Sequence, residues 1–116
     1  MWQWFRPRLG WIDSEVAHRA AIGMLSLFPQ WIGRRAAAPR IGLAAGFDKN
    51  AEILEATDRI GFGFTEIGTV TPRPQLGNPR PRLWRSDGEL SLFNRMGFNN
   101  EGAEVVAGRV RRARER

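Results

Sequence analysis

Ile41-Gly42-Leu43-Ala44-Ala45-Gly46-Phe47-Asp48-Lys49-Asn50 is the stretch that decides how this chain is read. It opens as a short apolar run, passes through a small-residue turn and ends on Asp48-Lys49-Asn50, with a helical pattern predicted from Ala51. Strand, tight turn and helix start make a βα unit, and α/β folds keep their ligands at the carboxyl ends of such strands. Ala44, Ala45 and Gly46 carry almost no side chain, so a flat or anionic ligand can approach their backbone N–H groups closely. Asp48 is placed to cap the helix, because a carboxylate there satisfies orphan N–H donors. Lys49 fits a helix start poorly, since a cation in the first turn opposes the macrodipole by roughly 0.3–1 kcal/mol. It is also the single lysine beside seventeen arginines. Two readings follow: a solvated loop-tip lysine, or a compact ammonium kept for an anionic ring or carboxylate.

The remaining composition bounds the partners. A net charge of +6 and a pI near 11.5 permit nucleic acid, acidic lipid or a phosphate-bearing cofactor. Most basic residues are scattered, apart from Arg109, Arg111, Arg112, Arg114 and Arg116. The absence of cysteine excludes a disulfide framework, a thiolate metal site and a cysteine nucleophile within these 116 residues. The longest apolar stretch, residues 20–28, is interrupted by Gly23 and Ser26 and is too short to span a bilayer. Acidic residues before it and Arg34-Arg35 after it are in the wrong order for a signal peptide. An apolar content of 42% fits a folded chain.

From the N-terminus, Trp2, Trp4, Phe5, Trp11 and Ile12 are interleaved with Arg6 and Arg8, a composition suited to a membrane–water interface or to an arm folded back on its own domain. Asp13 reads as an N-cap. Val16, Ala17, Ala20, Ala21, Met24, Leu25 and Phe28 follow as one apolar helical stripe, ended by Pro29. His18 and Arg19 fall on its flank, where a lone histidine is ordinarily an edge residue. Trp31 and Ile32 belong to a short turn, and residues 33–39 read as a linker. Past the central stretch, residues 52–60 form a short helix ended by Gly61. Residues 62–70 form a strand with apolar residues on both faces, as in a buried parallel sheet. Residues 71–82, with four prolines, form an extended loop whose Arg73, Arg80 and Arg82 are expected in solvent. Leu83-Trp84-Arg85 and residues 89–93 read as a hairpin. Asn94-Arg95-Met96-Gly97-Phe98-Asn99-Asn100 offers amides that match the C=O/N–H edges of a pyrimidine, or a turn in which Asn100 caps the helix of residues 101–116.

Three segments in order, residues 42–50, Glu66-Ile67-Gly68-Thr69-Val70-Thr71-Pro72-Arg73-Pro74-Gln75 and residues 94–100, with Gly77-Asn78-Pro79-Arg80-Pro81-Arg82-Leu83 between the last two, resemble the quinone-dependent (class 2) dihydroorotate dehydrogenases. The resemblance covers residues 41–109 and, less sharply, the helix after Asp13. It implies an α/β fold made of the first βα units of a (β/α)₈ TIM barrel, preceded by an N-terminal helical membrane/quinone segment. Residues 1–35 would be that segment and residues 36–116 an incomplete FMN-binding barrel domain. It implies FMN as cofactor, bound by Ala45, Gly46, Phe47, Asp48, Lys49 and Thr69. Dihydroorotate or orotate would be held by Lys49, Asn94, Arg95, Met96, Gly97 and Phe98. His18 and Arg85 would line a tunnel for a membrane quinone, walled by Met24, Leu25 and Phe28.

The family's catalytic base, a serine on a later strand, lies beyond Arg116, so this chain is expected to contain no catalytic residue, to bind no metal and to be inactive alone. Residues 36–40 stand where the family has a strand hairpin, which implies a barrel floor without its usual plug. A closed barrel needs about 200–250 residues. The expected function is the N-terminal part of an enzyme oxidising dihydroorotate to orotate in pyrimidine biosynthesis, bound peripherally to the cytoplasmic side of the cell membrane, with no nucleic-acid partner. Two alternatives are a non-catalytic membrane-surface or nucleic-acid-binding Arg/Trp-rich fragment, and a flavin enzyme of the same barrel type with another electron acceptor.

Overall fold

The computed structural model describes residues 11–33, 38–86, 88–89 and 91–115. The expected membrane arm around Trp2 and Trp4 lies outside them. In chain order the elements are helix α1 (Ser14–Leu27), a 3₁₀ turn (Pro29–Trp31), strand β1 (Ala38–Leu43), helix α2 (Leu54–Ile60), strands β2 (Phe62–Thr65), β3 (Leu83–Ser86) and β4 (Ser91–Asn94), and helix α3 (Ala103–Arg114). The fold is α/β, as expected.

Helix α1 starts where the sequence places it. The Asp13 carboxylate accepts from the backbone N–H groups of Glu15 (2.9 Å) and Val16 (3.0 Å). Its buried face is not the expected stripe. Glu15 and Ile22 are buried, and Leu25 packs on the small core of Ile22, Ile53 and Ala56. Glu15, His18, Ile22 and Leu25 therefore share the docking face at 3–4 residue spacing, so two polar residues point inward. Val16, Met24 and Leu27 face outward, at 55%, 60% and 69% exposure. Periodicity identified the helix but chose the wrong side, because the polar residues found charged or carbonyl partners on the rest of the chain.

β1 and β2 pair in parallel around α2, the expected βαβ unit, with Gly42 opposite Phe64 and Leu43 opposite Thr65. Three boundaries differ from expectation. Ala38 and Pro39, read as linker, already belong to β1. α2 begins at Leu54 rather than at Ala51, because Ala51 adopts φ 57° in the left-handed region, which cannot propagate a helix. Gly61, with φ 100°, ends it as expected. β2 stops at Thr65 instead of Val70, since its partner runs out. Glu66 N–H reaches the Leu43 carbonyl (2.9 Å), and the next such bond joins Gly68 N–H to the Asp48 carbonyl (3.3 Å), where β1 has become loop. The sheet is not buried on both faces either: Ile41 is 60% and Phe64 51% exposed, because among the described residues only two strands form it.

β3 and β4 form the expected hairpin, from Leu83 opposite Asn94 to Ser86 opposite Ser91. α3 begins at Ala103, two residues late, and Gly102 rather than Asn100 occupies its N-cap position. Asn100 is instead a buried bracket: its side-chain oxygen accepts from Gly102 N–H (2.9 Å) and Thr71 N–H (3.2 Å). Between the strands, the loop of residues 71–82 is irregular, as its prolines dictate. Arg82 corrects the expectation of solvent, being only 8% exposed.

Gly77 secures this loop against the asparagine segment. It takes φ 75°, and a Cβ there would stand 2.2 Å from the Met96 carbonyl oxygen, a backbone atom with little freedom to yield. Gly77→Ala is therefore expected to destabilise the chain by about 1–3 kcal/mol through strain and overlap together. Chemical denaturation compared with wild type checks this; an unshifted midpoint would show that the two loops are not locked.

Candidate functional site

The site forms at the carboxyl end of β1. Ala44, Ala45 and Gly46 are exposed there, and Gly46 takes φ 105° with nothing within 4 Å of the place its Cβ would occupy. The turn is thus open on this side, and the φ value explains the glycine. Phe47 is held from behind: its carbonyl accepts a hydrogen bond from His18 Nε2 (2.6 Å), and its ring meets the imidazole edge-on at 5.2 Å. The bond fixes the proton on Nε2, since a carbonyl only accepts.

Asp48 is fully buried beneath the turn. Its two oxygens accept from the N–H groups of Glu52 (2.8 Å) and Ile53 (3.0 Å). This is the capping role expected of it, applied one turn ahead of the regular helix. Asn50, also buried, accepts from Glu101 N–H (3.0 Å), and its carbonyl accepts from Arg109 (3.1 Å), so the same turn anchors the start of α3.

Lys49 is partly buried rather than a solvated loop tip. Its stem lies on Gly68, where a Cβ would come within 3.1 Å of the Lys49 Cα and 3.3 Å of its Cγ. Its ammonium donates to Asn99 Oδ1 at 3.0 Å. Burial pushes its pKa below the usual lysine value; Arg82 pushes the same way and Glu15 opposes them. Thr69, one residue beyond the supporting glycine, is exposed.

The residues expected to form the substrate loop separate. Met96 and Asn99 line a small cavity of about 20 Å³ with Lys49, Phe47, His18 and Glu15, enough for about one water molecule. Asn94 ends β4 on the exposed side, with its side-chain oxygen 3.5 Å from Met96 N–H. Arg95 lies over the Trp84 ring at 5.5 Å and hydrogen-bonds back to the 81–82 backbone. Gly97 (φ 72°) and Phe98 (φ 54°) make the turn between, with Phe98 66% exposed. The asparagine on Lys49 is thus Asn99, which the sequence reading placed in the motif without giving it a role.

His18 and Arg85, the expected quinone residues, both tie α1 to the strand units. His18 does so through Phe47, and Arg85 by donating to the Ile12 carbonyl (2.9 Å). Two further residues carried no assignment from sequence. Arg82 donates to Glu15 through Nη2 (2.6 Å) and Nε (3.0 and 3.2 Å), and through Nη1 to the carbonyls of Leu76 (2.6 Å) and Asn78 (3.1 Å). Arg80 adds a bond to Glu15 at 3.1 Å. The Arg82 hydrogen bond is the main reason the Glu15 carboxyl falls to about 2; burial opposes it and Arg80 assists. The Pro-Arg-Pro-Arg pattern was the available signal, but its buried acid lies 67 positions away.

A larger trough of about 890 Å³ runs between α2, β2 and α3, with Phe64, Thr57 and Arg112 on its walls. It is the open flank of the two-stranded sheet and does not include Lys49.

The family model for dihydroorotate dehydrogenase matches residues 31–116. A dihydroorotate dehydrogenase (quinone) of Rhodopseudomonas palustris is 52% identical, the match covering 90% of this chain and 32% of the relative. That of Rhodospirillum rubrum is 48% identical over 134 aligned positions, covering all of this chain and 36% of the relative. The chain thus spans about a third of the length of the curated relatives it matches. A crystal structure of ligand-free dihydroorotate dehydrogenase from Eimeria tenella superposes with a TM-score of 0.76 at 38% identity, over 86% of this chain and 32% of that one. The complex of the Eimeria enzyme with ferulenol gives 0.75 at 36% identity, over 86% of this chain and 30% of that one. Family match, sequence identity and superposition agree: the chain belongs to the dihydroorotate dehydrogenase family.

Proposed function

We propose that this chain forms the N-terminal portion of a quinone-dependent dihydroorotate dehydrogenase and supplies one wall of its FMN and orotate site. The observation that carries the reading is the pairing of an open small-residue turn at the end of β1 with a partly buried ammonium held by Asn99. The residues fit the cofactor: the space beside Gly46 is open, and the adjoining cation suits an electron-rich ring. Bound FMN would supply the hydride-accepting and electron-passing chemistry.

Ala45, Gly46, Phe47 and Asp48 would hold the flavin, with Thr69 at its edge. Lys49 would face both the flavin and the orotate carboxylate, losing little hydration because it is already partly desolvated. Met96 and Asn99 would bound the substrate side; Asn94, Arg95, Gly97 and Phe98 belong to the same loop.

Residues 36–116 would contribute the first βα units of a (β/α)₈ barrel, whose further units would cover the exposed flank of β2. Residues 1–35 would form the quinone vestibule, with His18 and Arg85 at the joint between vestibule and barrel. The outward Val16, Met24 and Leu27, with exposed Trp11 and Trp31, support peripheral membrane attachment. No described helix is long and apolar enough to cross a bilayer. The cytoplasmic face is the side on which this reading places it.

The test is a chimera in which this chain replaces the matching third of the Rhodopseudomonas palustris relative. Lys49→Ala in that chimera should weaken flavin retention by about 1.5–3 kcal/mol, roughly tenfold to a hundredfold, with a matching loss in the rate of flavin reduction by dihydroorotate. Normal flavin content and normal reduction in the variant would return Lys49 to the status of a surface lysine. Reduction that proceeds normally but fails to reach a quinone analogue would favour another electron acceptor.

A further inference from the structure

Lys49 shares its small cavity with Glu15, a residue of the first helix that is 5% exposed. Glu15 is bound there by Arg82, itself 8% exposed, through three bonds of 2.6–3.2 Å. Arg82 in turn grips the carbonyls of Leu76 and Asn78, while Asn78 N–H donates to the Met96 carbonyl (3.0 Å) and its amide to that of Arg95 (2.7 Å). One continuous set of bonds thus runs from the helix to the loop that supplies Met96 and Asn99.

We propose that Glu15 is a positioning residue for the Lys49 ammonium: by pairing with the buried guanidinium of Arg82 it offsets that charge beside Lys49, leaving the ammonium free to meet an anion, while docking the helix over the cavity. The inference rests on the reading of Lys49 as the anion-facing cation for its functional meaning.

The physics concerns two cations in a partly desolvated place. Arg82 cannot shed its proton, so any uncompensated charge on it falls on Lys49, whose proton affinity must drop. The charged or titratable groups facing Lys49 are Glu15, His18 and Arg19 from α1, Glu52 from the turn after β1, and Arg82 from the 71–82 loop. Arg19 already pairs with Glu52 (3.4 Å), and His18 is committed to Phe47. The balance between Arg82 and Glu15 is therefore the adjustable part. Lys49 is displaced downward by burial first and by Arg82 second, with Glu15 pulling the other way.

Because Lys49 is the single lysine, the chain grown with lysine carbon-13 labelled at Cε gives one lysine resonance, and its titration follows Lys49 alone. Glu15→Gln should lower the midpoint measurably below that of wild type, a loss of proton affinity. Glu15→Asp, which keeps the charge, should stay near wild type. Unfolding would move the midpoint the opposite way, toward an ordinary lysine, so loss of structure cannot imitate the expected result. An unchanged or raised midpoint in folded Glu15→Gln overturns the proposal.

Should that variant not fold, the Glu15→Gln/Arg82→Gln chain, which leaves no unpaired buried charge at this pair, should titrate at or above wild type with its amide dispersion retained. A midpoint below wild type overturns the proposal. The titration needs neither flavin nor orotate, so it can fail while the Lys49→Ala flavin result stands, and the reverse.

Discussion

Arg82→Ala is expected to destabilise the protein by about 3–5 kcal/mol, the cost of leaving a buried carboxylate without its main partner. Among the described residues, Glu15 would retain Arg80 alone, whose side chain is 66% exposed and screened by solvent. The carbonyls of Leu76 and Asn78 would lose their guanidinium donor as well. The loss is large against the 5–15 kcal/mol typical of a whole domain, and here the apolar reserve is thin. The buried apolar residues among those described are Ile22, Ala51, Ile53, Ala56 and Val106. Guanidinium denaturation of Arg82→Ala against wild type measures the effect, with Arg80→Ala as the exposed control, expected to cost less than about 1 kcal/mol. Equal midpoints for Arg82→Ala and wild type would show that the ion pair does not hold the helix.

Acid should reproduce part of this loss. The Glu15 carboxyl lies near 2 in the folded chain, against 4.5 when unperturbed. Its contribution, roughly 3 kcal/mol, is therefore complete above about pH 4.5 and fades as the pH falls toward 2. In Arg82→Ala the same acid limb should flatten.

Asp48→Ala is the second large expected effect, at about 2–4 kcal/mol. Asp48 is fully buried, and its removal leaves the partly buried N–H of Glu52 and the buried N–H of Ile53 without their acceptors. Ile53 is itself a core residue, so the loss should reach the packing of Ile22 and Ala56. Asp48→Asn, which keeps one acceptor and sets an amide against the other N–H, should fall between alanine and wild type. Amide exchange at Glu52 and Ile53 is the local readout: both should become fast in the alanine variant at a pH where α3 stays protected. Unchanged protection at both positions would mean that other groups hold the turn.

The local chemistry was legible in the sequence. Asp13 caps α1, Gly61 ends α2, the parallel pairing of β1 with β2 follows from the strand–helix–strand order, and the hairpin of β3 and β4 sits where it was expected. The small-residue turn and its lysine were identifiable because Gly46 and Lys49 are each unusual for their positions. The errors cluster where a long-range partner outweighed local preference. Ala51 in a left-handed conformation delayed α2, the end of β1 shortened β2, and Asn100 was shared between Thr71 and the Gly102 N–H instead of taking the N-cap position.

What the sequence by itself determined is the order and kind of the elements, the open turn of residues 44–47 and the presence of a cation beside it. These depend on periodicity, turn chemistry and the absence of side chains, all properties of neighbouring residues. Only the tertiary structure decided which face of α1 is inside, that Asn99 holds Lys49, and that Arg82 is buried on Glu15. Those outcomes depend on pairs 50 and 67 positions apart. A charged or amide side chain follows its local pattern into solvent unless such a partner compensates its desolvation, and spacing along the chain does not reveal where that partner is.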